Sequence, residues 1–137
     1  MQRLILAVVV AGTTLFAGTI SAAKKPASPY AVEIKELHVI KVLLERADRD
    51  YKGHRAEAVK QISEAIHALS AGKKHNGKGV KGGNEPQALS DAQLRESIAA
   101  LAKVQTQLVA TGGAPAVLAS EHIARAIKQL EIALTIK

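Results

Sequence analysis

The chain states one helical pattern twice, and that constrains its fold more than any other feature. Ile62, Ala65, Ile66 and Leu69 recur 61 positions later as Ile123, Ala126, Ile127 and Leu130. The same offset carries Leu37 onto Ile98, Ile40 onto Leu101, Leu43 onto Val104 and Ala58 onto Ala119. Three- and four-residue spacing puts each set on one face of a helix. A lone hairpin cannot cover such a face, whereas two copies can cover each other. The expectation is an all-α protein: an up-down four-helix bundle built from two similar helical hairpins joined by a flexible linker.

The pattern divides the chain. Residues 1–23 read as a cleaved signal peptide, with Arg3, an apolar stretch from Leu4 to Phe16, and Ser21-Ala22-Ala23 before Lys24. Residues 24–137 read as one domain, with a hairpin over 29–70, a basic linker over 71–88 and a second hairpin over 89–137. Ser28-Pro29 opens the first helix, which the apolar stripe carries to about Lys52, and Gly53 breaks it. Ser90 and Gln93 form an S-x-x-Q capping box for the third helix, with Leu89 and Leu94 as its staple. Gly112-Gly113 ends that helix and Pro115 opens the fourth. No segment shows strand-like alternation.

Charge and composition narrow the partners. The formal charge is +7, or +6 once Arg3 is removed with the leader. In an exported protein this favours an anionic envelope component or an acidic protein. Nucleic acid fits less well, because Tyr30 and Tyr51 are the only aromatic residues after the leader and supply no stacking platform. The absence of cysteine removes thiol catalysis and Cys-ligated zinc. Ala-rich faces also suit packing between subunits as a homo-oligomer.

Five histidines raise the question of metal. Glu64-x-x-His67 has the spacing of an element found in di-iron bundles. At about 100° per residue, however, both side chains lie well away from the stripe centred on Ile62. His38 also points outward, and His122 sits at a stripe edge. The expectation is no cofactor, no metal site and no catalytic set. Gly72 to Gly79 approaches a phosphate-binding loop but has Gly79 where the magnesium-holding hydroxyl belongs. Two polar groups remain as candidate contact surfaces. One is the linker set Lys73, Lys74, His75, Lys78 and Lys81. The other is a bundle-end cluster of Asp50, Tyr51, His54 and Arg55, in which His54 and Arg55 can bond the last carbonyls of helix 1 and Asp50 can pair across the turn.

Tyr51-x-Gly53-His54-Arg55-x-x-Ala58, followed by the I-x-x-A-I-x-x-L helix, resembles a signature of small exported bacterial helical-bundle proteins. The resemblance implies a bundle and no particular activity. The functional expectation is an exported binding or scaffold module that acts through its surface and is not an enzyme. The alternative is a periplasmic carrier of a metal or a small apolar ligand.

Overall fold

The computed structural model describes residues 28–47, 50–71 and 86–137. The leader and the whole linker set of Lys73, Lys74, His75, Lys78 and Lys81 lie outside them. Four helices are present, α1 (Ala31–Arg46), α2 (His54–Leu69), α3 (Gln87–Thr111) and α4 (Ala114–Thr135), with a 3-10 turn at Tyr51–Gly53. No strand occurs among the described residues. The protein is an all-α four-helix bundle.

Each helix contributes most of the stripe its spacing predicts, although Leu43, Ile98 and Ile127 are only half-buried. Leu37, Ile40 and Leu44 come from α1, Ala58, Ile62, Ala65 and Leu69 from α2, Leu94, Leu101 and Leu108 from α3, and Ala119, Ile123, Ala126 and Leu130 from α4. All belong to one apolar core. A fully buried leucine or isoleucine contributes roughly 1.5–3 kcal/mol by leaving water, so this shared core holds the two hairpins together.

Three helix ends differ from the sequence expectation. Helix α1 stops at Arg46, not near Lys52, because Ala47 is extended at φ −61°, ψ 117°. The chain then passes through positive φ at Tyr51, Lys52 and Gly53. Helix α3 begins at Gln87, with Pro86 at its N-cap and no side-chain cap. Ser90 is therefore inside the helix and buried, not a capping residue. Helix α1 begins at Ala31, with Tyr30 at its N-cap and no side-chain cap, so Ser28 and Pro29 precede the helix instead of opening it, although Ser28 Oγ accepts from the Tyr30 N–H at 3.3 Å. Pro115 does sit in the first turn of α4.

Long-range hydrogen bonds fix the topology. Tyr30, before α1, donates from its hydroxyl to the Gly112 carbonyl after α3 at 2.8 Å. Tyr51, before α2, donates to Asp91 Oδ1 near the start of α3 at 2.6 Å. Gln87 Nε2 donates to the Ile136 carbonyl beyond α4 at 3.1 Å. Helices α2 and α3 therefore both run from the Tyr51 end to the Tyr30 end, and α1 and α4 run the other way. Helix α1 packs on α2 and α3, and α4 packs on the same two, with α2 on α4 the most extensive contact. Every packed pair is antiparallel.

The sequence repeat is also a pseudo-two-fold axis of the structure. Moving Tyr30 forward by the repeat offset gives Asp91, and moving Tyr51 forward gives Gly112. The bonds Tyr30–Gly112 and Tyr51–Asp91 thus exchange under the repeat, one at each end of the α1–α3 seam. Gln61 and His122 are equivalent positions, and they bond each other at 2.8 Å across α2 and α4.

Ala71 and Pro86 lie at opposite ends of the bundle. Their connection need reach little more than the ~24 Å of a sixteen-residue helix, well within the ~3.3 Å per residue of extended chain. Because the hairpins hold each other through the core, a protease site inserted between residues 72 and 85 and cut should leave a folded bundle. Co-elution of the two fragments on gel filtration, with helical circular dichroism intact, is the expected result. Fragments that separate at micromolar concentration would show that the core alone does not join the halves.

Candidate functional site

The bundle-end cluster is built on the turn between α1 and α2. Its residues reach in three directions. Tyr51 is buried and bonds Asp91 on α3. His54 Nδ1 lies 2.7 Å from Gln129 Oε1 on α4. Arg55 is 1% exposed and donates through Nη1 to the Leu44 carbonyl of α1 at 3.0 Å. Arg55 therefore satisfies a carbonyl in the last turn of α1, as the spacing suggested, whereas His54 turns to α4 instead. Asp50 is exposed. The set ties one corner to all three other helices.

Among the described residues no group of three or more His, Asp or Glu side chains could hold a metal ion. Glu64 is exposed and His67 half-buried. His122 lies at the α2–α4 edge, where its stripe position put it. No described helix is long and apolar enough to cross a membrane.

The most developed open feature is the outer face of α1 and its seam with α3. A groove of about 550 Å³ is lined by Val32, Lys35, Val39, Ile40, Ala100 and Lys103, among others. A second of about 490 Å³ shares Lys35 and Val39 and continues past Val42 to Arg46 and Glu96. Val32 is 61% exposed, Val39 63% and Val42 45%. Their spacing of seven and three residues makes a second apolar stripe on α1, opposite the one in the core. A helix apolar on two sides is normally covered on both. The repeat offset shows that the fold does not demand this stripe. Val32, Val39 and Val42 become Gln93, Ala100 and Lys103 in α3, whose core packing is no poorer for it. A smaller groove of about 400 Å³ lies between α3 and α4 at Val109 and Val117.

Charges flank the α1–α3 seam. Lys103 Nζ is 3.5 Å from Glu36 Oε1, a partly exposed ion pair that marks the register of α1 against α3. Just inside, Glu33 is 7% exposed. Its Oε2 and Gln107 Oε1 are buried without a hydrogen bond from another protein group. Sequence reading missed Glu33, although its four-residue step before Leu37 was the available signal.

No family model matches the chain, and comparison with curated proteins and with solved structures gives no match either.

Proposed function

We propose that this protein is an exported helical-bundle module that binds or scaffolds other molecules through its surface. One observation carries the reading: α1 presents an exposed valine stripe that neither the core nor the repeat requires, bordered by Lys35, Lys103 and Glu96. Exposed contiguous apolar surface rimmed by polar residues is the usual mark of an interaction site. The net positive charge and the lysines at 73, 74, 78 and 81 support a further anionic partner, an envelope component or an acidic protein. The buried polar groups of the bundle-end corner are engaged in holding helices together, which favours a scaffold role for that corner.

Export predicts a mature N-terminus. Intact mass of the protein recovered from the envelope should correspond to a chain starting at Lys24. Full-length protein retained in the cytoplasm contradicts export.

The surface reading is tested by a photo-crosslinking amino acid at position 39 in cells. Position 39 should give a discrete adduct, with another protein or with the protein itself. Position 125, exposed on α4, should give none. Absence of any adduct at position 39 overturns the reading.

A further inference from the structure

We infer that the α1 outer face is a self-association surface, on which two copies pack with α1 antiparallel to α1 about a two-fold axis near Val39. The inference rests on the reading of this face as a contact surface and names its occupant.

Three observations carry it. The first is the placement of the stripe. Val32, Lys35, Val39, Val42 and Arg46 follow one another at alternating three- and four-residue steps along the outer side of α1, the spacing of a helix–helix seam. Val39 stands midway between Val32 and Arg46. An antiparallel two-fold at Val39 puts Val39 on Val39, Val42 beside Glu36 of the partner copy, and Val32 against the aliphatic stem of the partner copy's Arg46.

The second is charge. A parallel, in-register pairing would set Lys35 on Lys35 and Arg46 on Arg46. The antiparallel one separates them and brings Lys35 to the level of Leu43 of the partner copy. The Glu36–Lys103 ion pair marks what lies there. Seven residues onward from Glu36 on α1 is Leu43, and seven residues back from Lys103 on antiparallel α3 is Glu96. Glu96 borders the same groove as Lys35 and Leu43. Each Lys35 therefore stands at the level of Glu96 of the partner copy, an opposite-charge pairing available twice per dimer. Complementary charges at a rim of this kind set orientation and partner choice more than raw affinity.

The third is size. Sixteen residues of α1 span ~24 Å, and a strip covering α1 and its flank on α3 is roughly 20 Å wide, the breadth of two packed helices. That is on the order of 500 Å² per copy, or about 1,000 Å² in total, the lower bound of specific interfaces. The dimer is accordingly weak and concentration-dependent.

The test uses the chain from Lys24 to Lys137, which contains the whole described bundle. Sedimentation equilibrium over a roughly hundredfold range of concentration should show the mass rising from one copy to two. Val39→Glu should remain monomeric throughout with unchanged thermal unfolding, since the position is exposed. Lys35→Glu should weaken association about tenfold, and adding Glu96→Lys should restore it to within a few-fold of the native protein. The chain has no cysteine, so Val39→Cys gives a clean readout: it should form a covalent dimer under mild oxidation much faster than Ala124→Cys, a control on exposed α4. A native protein that stays monomeric at every concentration overturns the inference, as do equal oxidation rates for the two cysteine variants. So does a monomer carrying a bound apolar compound in native mass spectrometry. If the purified protein is monomeric while position 39 crosslinks to a different protein in cells, self-association fails and the surface reading stands.

Discussion

Arg55→Ala should lower the unfolding free energy by about 3–5 kcal/mol, the sum of a lost charge-assisted hydrogen bond and a cavity in the core. In a bundle of this size that corresponds to a fall in melting temperature on the order of 10–25 °C. The side chain is 1% exposed and spans from the first turn of α2 to the Leu44 carbonyl. That carbonyl belongs to the last turn of α1, where four carbonyls lack helical partners. Truncation removes the donor, leaves a buried acceptor unmet and opens a cavity at the corner where α1 gives way to the turn. Each loss costs about 1–3 kcal/mol by itself. Arg55→Lys should recover little, because an ammonium cannot reproduce the planar fork. Arg55→Met should lie between, since it refills the volume and leaves the carbonyl unbonded. As a control, Arg125→Ala on exposed α4, where the arginine pairs only loosely with Glu121, should change stability by less than about 1 kcal/mol. Urea or thermal unfolding followed by circular dichroism measures all four. An Arg55→Ala protein within about 1 kcal/mol of the native one would mean that the corner is held by apolar packing alone.

The contrast between those two arginines shows where the sequence was legible and where it was not. Spacing alone placed Ile62, Ile66, Ile123 and Leu130 in the core, because helical periodicity is local and the repeat doubled the signal. The same logic ran α1 through Tyr51, since that residue falls on the stripe. In the structure Tyr51 is indeed buried, but from a left-handed turn after α1 has ended, and its hydroxyl reaches Asp91, forty residues away. Periodicity reports that a side chain is inward, not which backbone delivers it there. Ser90 failed for a related reason. A hydroxyl ahead of an apolar run reads as a cap, yet Pro86 starts the helix one turn earlier, so Ser90 falls on a buried face. The bond from Arg55 to the end of α1 was foreseen, but its burial, like that of Glu33, was hidden because charge is read as exposure. Their burial depends on a neighbouring helix that local sequence does not announce. The candidate corner was thus visible as a string of residues, but its role as a three-way tie needed the topology. The outer valines were in plain view; only the core, once filled without them, showed that they face outward.

The pseudo-two-fold axis sharpens a second prediction, because its two ends are closed differently. At the Tyr51 end the tyrosine hydroxyl meets a carboxylate. At the Tyr30 end it meets the Gly112 carbonyl, and the next residue is Gly113, at φ +96° and ψ 154°. Residues with a side chain avoid that region, at a cost of order 1–3 kcal/mol. A Cβ at Gly113 would also stand 2.5 Å from Tyr30 Oη. The ring must then move, and the bond to Gly112, worth about 0.5–1.5 kcal/mol, is lost with it. Gly113→Ala should therefore destabilise by about 3–4 kcal/mol, the strain and the lost contact together. Gly112→Ala should cost only the strain, since a Cβ there meets nothing within 4 Å. The two contributions separate in a double-mutant cycle. Tyr30→Phe alone forfeits one hydrogen bond, roughly 1 kcal/mol. In that background the hydroxyl that opposes the new methyl is gone, so Gly113→Ala should cost less than it does in the native protein, by about 1 kcal/mol or more. Strict additivity of the two changes would show that strain in the turn is the whole effect and that the tyrosine does not latch α1 to the end of α3.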